Sequence, residues 1–441
     1  MALSKWMNQK IFLPSSDSSE AKIQELLKVE KSISLSVITQ FFPPDYAATG
    51  QLIEELVRQL GQQGVKVEVF TGQPGYAFKS SDAPAVERLD RVLVKRSRTA
   101  QIWPGRIRGK AVNGVLFTLR ALLHVVRNSR RSNLLLLTTA PPFLPIVGYL
   151  AHLLFRRPYV CILYDLYPDI AIALGVISRD HWLAKIWHKV NQLVWQNSQA
   201  LVVLSPAMKQ RITTHCPKIA DKVFVIHSWG DPDLILPMTK QENWFALKYN
   251  LAKKFTILYS GNMGRCHDMD TILEAAKILQ DEPIQFVFIG GGAKREQLLQ
   301  DAKRLGLSNL TFLPYQDKEV LPYSLTACDL SLISVDVGME SLVAPSKLYP
   351  ALAAGRPVAV ICSKTSYLRQ LIADARCGGT FENGDSNSLV QFIRVLNNDR
   401  ELAKDMGKAG RKYMRSHFTP QIISQQYLDV LSKALNQSNH H

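Results

Sequence analysis

The chain has 441 residues, 46% apolar and 20% charged; this is too long for one compact core and excludes a disordered or fibrous protein. Its net charge of +16 asks for an anionic partner, and its six cysteines form no C-x-x-C pair. That cysteine usage fits a reduced, cytoplasmic chain without a disulfide framework or zinc site.

Residues 1–30 lack the long apolar core of a secretory leader and read as a polar N-terminal extension. A strand, "ISLSVIT", comes next, then a helix, "GQLIEELVRQLGQQG", closed by Gly64, and a second strand, "KVEVFTG". Between residues 88 and 131 Lys and Arg recur and Asp90 is the only acid. No nucleic-acid motif accompanies this charge, so nucleic acid is not the expected partner. Residues 110–131 have an amphipathic pattern instead, with Val112, Val115, Leu116, Leu119, Leu122, Leu123 and Val126 at helical spacing. Two readings stand: a core-facing helix with a solvated basic edge, or a helix lying on an anionic membrane surface through Arg120, Arg127 and Arg130.

The stretch "SNLLLLTTAPPFLPIVGYLAHLLF" is uncharged for about the length of a membrane span. Pro141, Pro142 and Pro145 would break such a helix, so the pattern predicts a buried strand, a loop and a helix over 145–155. Strands "YVCILYD" and "ALVVLS" continue the alternation, which stalls in a turn-rich linker near 231–240. A second series follows through "KFTILYSGNMG", "IQFVFIGGG", "LTFLPYQ", "ACDLSLISV" and "RPVAVIC". The fold class is therefore α/β, with two doubly wound Rossmann-like domains facing a central cleft. Residues 31–236 form the first domain and 237–419 the second, with a last helix at 420–435.

Ligands of such sheets bind at the strands' carboxyl ends, so the strand-to-helix turns are where site residues are sought. Gly50 opens a helix and lets backbone approach an anion, as would an ordinary cap. In "YSGNMGRCHD", Gly261 and Gly264 surround Asn262, and Arg265 can fork onto diphosphate oxygens or form a surface ion pair. Gly291 lies in a triple-glycine turn that is not a dinucleotide fingerprint. "VAPSKLYPALAAGRPV" brings Ser346 and Lys347 to a helix start suited to phosphate. In the first domain, Tyr164, Asp165 and Asp169 end a buried strand with groups suited to sugar hydroxyls, proton transfer or helix capping. The aspartates of "WGDPD" and "DMD" sit in turns and make a poor metal pair.

On these landmarks, together with "FFPPDYAATG", "VLSPAMKQRI" and "FVFIGGGAKREQL", the chain resembles the retaining glycosyltransferases of family 4, which have the GT-B fold. The Pro-Ser-Lys-Leu-Tyr form is similar to a subgroup of colanic-acid and O-antigen enzymes, fucosamine transferases among them. The resemblance implies a UDP- or GDP-linked sugar donor on the second domain and a lipid-linked or saccharide acceptor on the first. It also implies no required metal and a last helix, 420–435, that crosses back to the first domain, while the basic amphipathic stretch puts the expected site at the inner face of the cytoplasmic membrane. Gly50, Gly261, Asn262, Arg265, Gly291, Ser346 and Lys347 would then bind donor, Arg265 and Lys347 by neutralising its diphosphate. The family's Glu-x7-Glu pair falls on Leu342 and Pro350, so Glu340 is expected to meet the sugar instead. Its usual histidine is replaced by Tyr164 or Asp165, and Asp165 is taken with Glu340 as catalytic, leaving Tyr164 and Asp169 on the acceptor side. A catalytically inactive scaffold and a sugar-nucleotide epimerase of the same fold are the alternatives.

Overall fold

The computed structural model describes residues 33–45, 47–74, 83–97, 107–128 and 131–438. The predicted extension at 1–30, and Arg130, lie outside them. The first series runs β1 (Ser34–Ile38), α1 (Ala48–Gln62), β2 (Lys66–Gly72), β3 (Val86–Leu89), β4 (Val92–Ser97), α2 (Ile107–Arg127) and β5 (Leu134–Thr138). It continues with α3 (Ile146–Phe155), β6 (Tyr159–Leu163), α4 (Asp169–Ala173), α5 (Trp182–Asn197), β7 (Ala200–Val203), α6 (Pro206–His215) and β8 (Val223–Val225). Its strands form one eight-stranded sheet in the order β3-β4-β2-β1-β5-β6-β7-β8. All pairings are parallel except the β3–β4 hairpin. Every residue of β5 and β6 is buried, as expected of strands covered on both faces. In α1 the buried Ile53, Leu56, Val57 and Leu60 trace one helical stripe against that sheet.

The second series runs α7 (Trp244–Lys248), β9 (Phe255–Ser260), α8 (Asp270–Ile278), β10 (Ile284–Ile289), α9 (Arg295–Arg304), β11 (Leu310–Leu313), α10 (Leu321–Thr326) and β12 (Leu330–Ser334). It closes with α11 (Leu348–Ala353), β13 (Val358–Ile361), α12 (Tyr367–Ala375), β14 (Gly378–Phe381), α13 (Ser386–Asn398), α14 (Arg400–His417) and α15 (Pro420–Ser438). Its six strands are all parallel, in the order β11-β10-β9-β12-β13-β14.

Two crossings join the sheets. In the linker after β8, Lys240 Nζ donates to Asp329 Oδ2 at 2.5 Å and Leu251 O at 2.9 Å, and Arg411 donates to Pro232 O and Ile235 O, each at 2.7 Å. The second crossing meets the first where the Gly230 N–H donates to Phe418 O at 3.2 Å. From there α15 returns to the first sheet, burying Ile423, Tyr427 and Leu431, and Gln63 at the end of α1 donates to Ser424 Oγ at 3.3 Å.

The uncharged stretch divides into β5 and α3 as predicted, and no helix among the described residues is long and apolar enough to cross a membrane. Three features differ from expectation or go beyond it. The β3–β4 hairpin overlaps the start of the basic region, where charge masks strand alternation. Strand β14 begins with two glycines, and Gly378 leaves no room for a Cβ against the Val358 carbonyl. In α2 it is Phe117, Ala121 and Val125 that face the sheet, while Val112, Val115, Leu119, Leu123 and Val126 point outward.

Candidate active site

The carboxyl ends of β9 and β10 cross closely. Gly261, with φ 131°, donates its N–H to Ile289 O at 2.8 Å, and a Cβ on Gly290 would strike the Gly261 carbonyl. Gly291 lies flat against the Tyr315 ring, where a Cβ would sit 3.0 Å from the ring edge. Its carbonyl accepts the Met263 N–H at 2.7 Å, which fixes the turn carrying Asn262. These glycines therefore make a floor low enough for a ligand to lie on backbone.

Lys347 enters this floor from the start of α11. Its Nζ donates to the Tyr259 hydroxyl and, at 3.2 Å, to Asn262 O, and lies 4.0 Å from the Tyr259 ring centroid. Burial without an opposing carboxylate pushes its titration down to about 7. His267 stands beside it, with Nδ1 at 2.7 Å from Ser334 O. Burial, then the Lys347 charge, hold His267 down at about 3, so it is neutral with Nδ1 as donor and Nε2 as acceptor. Arg265 is exposed and makes no ion pair among the described residues, and the Ser346 side chain is likewise unbonded. Gly261, Asn262, Gly291 and Lys347 thus converge, and Arg265 and Ser346 lie on the flanking turns.

The loop after β6 pairs directly with the loop after β12. Asp165 and Val343 form an antiparallel bridge, and the Leu166 N–H donates to Leu342 O at 3.2 Å. This bridge sets Asp165 from the first sheet beside the segment carrying Glu340 from the second. Burial raises the Asp165 carboxyl to about 6, and Glu340 Oε1 is buried without a hydrogen-bond partner. Arg211 on α6 straps the same junction. It donates to Asp169 Oδ1 at 2.5 and 3.2 Å, and to Ser341 Oγ across the cleft at 3.3 Å.

Several predicted residues take other roles. Tyr164 points into the core, its hydroxyl buried and unbonded close to Tyr427 of α15, because adjacent residues at a strand end face opposite ways. Asp169 is occupied by Arg211 and does not face the cleft as a free acceptor-side carboxylate. Gly50 donates its N–H to Ala47 O at 2.9 Å, and its missing Cβ admits the Phe41–Phe42 backbone at 3.0 Å, which is a packing role. Leu342 is buried in the inter-sheet bridge, and a Cβ on Gly230 would lie 2.7 Å from Tyr349 O and 3.1 Å from Pro350 N. The two positions where family acids were expected are thus committed to packing between the domains. Asp231 and Asp268 cap their own turns, at 2.8 Å to the Asp233 N–H and 3.0 Å to the Thr271 N–H. His267, Tyr315 and Arg211 escaped the sequence reading although each lies inside a quoted stretch, "YSGNMGRCHD", "LTFLPYQ" and "VLSPAMKQRI", because nothing local says which side chain of such a stretch faces the site.

Two family descriptions match in series, "Glycosyl transferase 4-like domain" over residues 48–229 and "Glycosyl transferases group 1" over residues 241–413. The chain belongs to glycosyltransferase family 4. The glycosyltransferase is 23% identical over 408 residues to a probable glycosyltransferase, WbjE, of Pseudomonas aeruginosa, covering 91% of this chain and 98% of that one. Over 118 residues it is 36% identical to a putative colanic acid biosynthesis glycosyl transferase, WcaI, of Escherichia coli K12, covering 27% and 29% of the two chains. Among solved structures, sucrose-phosphate synthase from Thermosynechococcus elongatus superimposes with a TM-score of 0.70 at 16% identity, covering 90% of this chain and 97% of that one. HepE from Anabaena, solved in complex with UDP and glucose, gives 0.67 at 16% identity over 91% and 99%. The fold of the glycosyltransferase is accordingly GT-B.

Proposed function

We propose that this glycosyltransferase moves a sugar, with retention, from a nucleoside-diphosphate donor to a lipid-linked or saccharide acceptor in cell-surface polysaccharide synthesis. The observation that carries the reading is the convergence of Lys347, Asn262 and the glycine floor on one sheet, bridged directly to Asp165 on the other. The neighbour solved with UDP and the colanic-acid relative support the donor and the pathway class.

In this reading the diphosphate lies on the floor under Lys347 and Arg265. When the bond from the anomeric carbon to the leaving phosphate oxygen breaks, its electron pair goes to the diphosphate, and both cations stabilise that charge. The acceptor hydroxyl attacks from the face the diphosphate leaves, and Asp165 takes its proton. Glu340, with an unbonded oxygen, meets a sugar hydroxyl. Lys347 and Arg265 supply the positive charge, so the chemistry requires no metal. The enzyme works from the cytoplasmic side, held at the membrane by α2.

The loss of both family acids, at Leu342 and Pro350, favours a second reading as an inactive scaffold. A thermal-melt panel with UDP, GDP, ADP and CMP separates the two. Saturation at about a hundred times Kd stabilises by roughly 2.7 kcal/mol, so one nucleotide should raise Tm by several degrees. If none of the four moves it, the donor site is not functional and the scaffold reading replaces the enzyme.

A further inference from the structure

Above the carboxyl ends of β5 and β6 lies a group of rings that the donor chemistry does not use. Tyr167, two residues beyond Asp165, stacks on Trp187 of α5 with centroids 5.9 Å apart and planes at 16°. Phe143, in the loop between β5 and α3, also meets Trp187, at 6.3 Å and 59°. All three rings are half-buried. Asn191 Nδ2 donates to Tyr167 O at 2.6 Å and so fixes the loop to α5. Gly114 of α2 lets that helix close on the same group, since a Cβ there would lie 3.2 Å from the Phe143 ring.

The chain direction decides what adjoins these rings. Helices α2, α3 and α5 each start at the carboxyl edge of the parallel sheet and run away from the cleft. Their N-terminal halves therefore border the ring group, and on two of them that half carries exposed apolar residues. Val112 and Val115 of α2 point outward, and on α5 Trp182 is 64% and Ile186 49% exposed. Single exposed apolar residues need no explanation, but exposed apolar pairs on the two helices that a stacked aromatic group links do. Exposed Arg179, Lys185 and Lys189 lie beside the α5 pair, and Asp180, the only acid among them, stands 3.8 Å from Lys185 Nζ.

We propose that Phe143, Tyr167 and Trp187, continued by Val112, Val115, Trp182 and Ile186, seat the hydrocarbon end of a phosphate-linked lipid acceptor. This rests on the acceptor reading above and adds where the lipid lies. The chain passes over the rings from the side of α2 and α5, its phosphate meets Arg179, Lys185 or Lys189, and the saccharide reaches Asp165. A prenyl or alkyl phosphate has both properties the surface asks for: an extended apolar body and an anionic head.

The test uses the full chain and two probes, farnesyl phosphate and inorganic phosphate, titrated by calorimetry below the aggregation limit of the lipid. Farnesyl phosphate should bind at least tenfold tighter than phosphate. Trp187→Ala should weaken it about tenfold, and Trp187→Phe should restore most of the loss. The nucleotide melt, read on the same variants, reports whether the fold and the donor site survive. Should Trp187→Ala not fold, the exposed pair Trp182→Ser and Ile186→Ser replaces it, with a smaller loss expected. Equal affinity for both probes, or farnesyl phosphate binding indifferent to every variant, overturns the proposal. So does self-association by light scattering that the serine pair abolishes, because a second copy would then be the occupant. A failed nucleotide panel with intact lipid binding would remove the transferase reading alone.

Discussion

Lys347 and Asp165 titrate far from their ordinary ranges in neighbouring parts of the cleft, Lys347 down at about 7 and Asp165 up at about 6. Both shifts come from burial without an opposite charge. Asp165 must be ionised to accept a proton, so activity rises as pH passes upward through about 6. Lys347 must be charged to hold a diphosphate, so donor capture falls as pH rises through about 7. For free enzyme, kcat/KM should therefore trace a narrow bell between these values, falling about tenfold per pH unit outside it. Bound diphosphate places negative charge beside Lys347 and raises its titration again, so the alkaline limb in kcat should lie higher than in kcat/KM. Lys347→Arg should move the alkaline limb of kcat/KM out of range, because a guanidinium stays charged. A flat wild-type profile through this window would leave neither group with the role assigned to it.

At the scale of elements, the junction between the loops after β6 and β12 is held by one backbone bridge and by Arg211, which spans from Asp169 to Ser341. Arg211 touches no donor-site residue, and its loss would free the two loops to part while leaving the floor around Lys347 intact. Arg211→Ala should lower kcat about tenfold with the nucleotide Kd little changed, and Ser341→Ala should do the same more weakly. An Arg211→Ala enzyme with full kcat would show that the bridge suffices alone. This strap also marks the limit of what the sequence discloses. Runs such as 134–137 and Tyr159–Leu163 are apolar throughout and shorter than helices, so the parallel sheets and their carboxyl edges are legible. Lys347 and the glycines are legible too, because backbone turns and a helix start demand particular residues. What a strand end does with Tyr164 and Asp165 is not, since a shift of one residue exchanges core and cleft. Nor is Arg211, whose partner is 130 residues away in sequence. Gly50 is ambiguous in sequence for a related reason: a missing Cβ serves a close chain contact as well as an anion.

For the molecule as a whole, the net charge of +16 and the outward stripe of α2 belong to one question. Val115, Leu119 and Leu123 are 47%, 54% and 53% exposed on a helix whose opposite face, Phe117, Ala121 and Val125, already fills the core. A core-facing role thus accounts for one face only, and the second apolar face lies in water beside exposed Arg127 and Arg131. An anionic bilayer would cover it, with each basic residue near the surface contributing about 1 kcal/mol. Reversing Arg127 and Arg131 to Glu should cost more than the roughly 2 kcal/mol lost by neutralising both. Co-sedimentation with vesicles containing phosphatidylglycerol should accordingly fall by more than about thirtyfold at low salt. Leu119→Ser with Leu123→Ser should weaken binding through the apolar term, an effect that added salt leaves in place while it erases the arginine effect. Wild-type protein that stays in the supernatant at low salt would detach the charge from any membrane role. Binding that survives both pairs of substitutions would move the contact to another face. If both pairs act, the stripe that meets the bilayer is the one that leads to the rings above Asp165, and an acceptor anchored in the membrane would reach the cleft without leaving it.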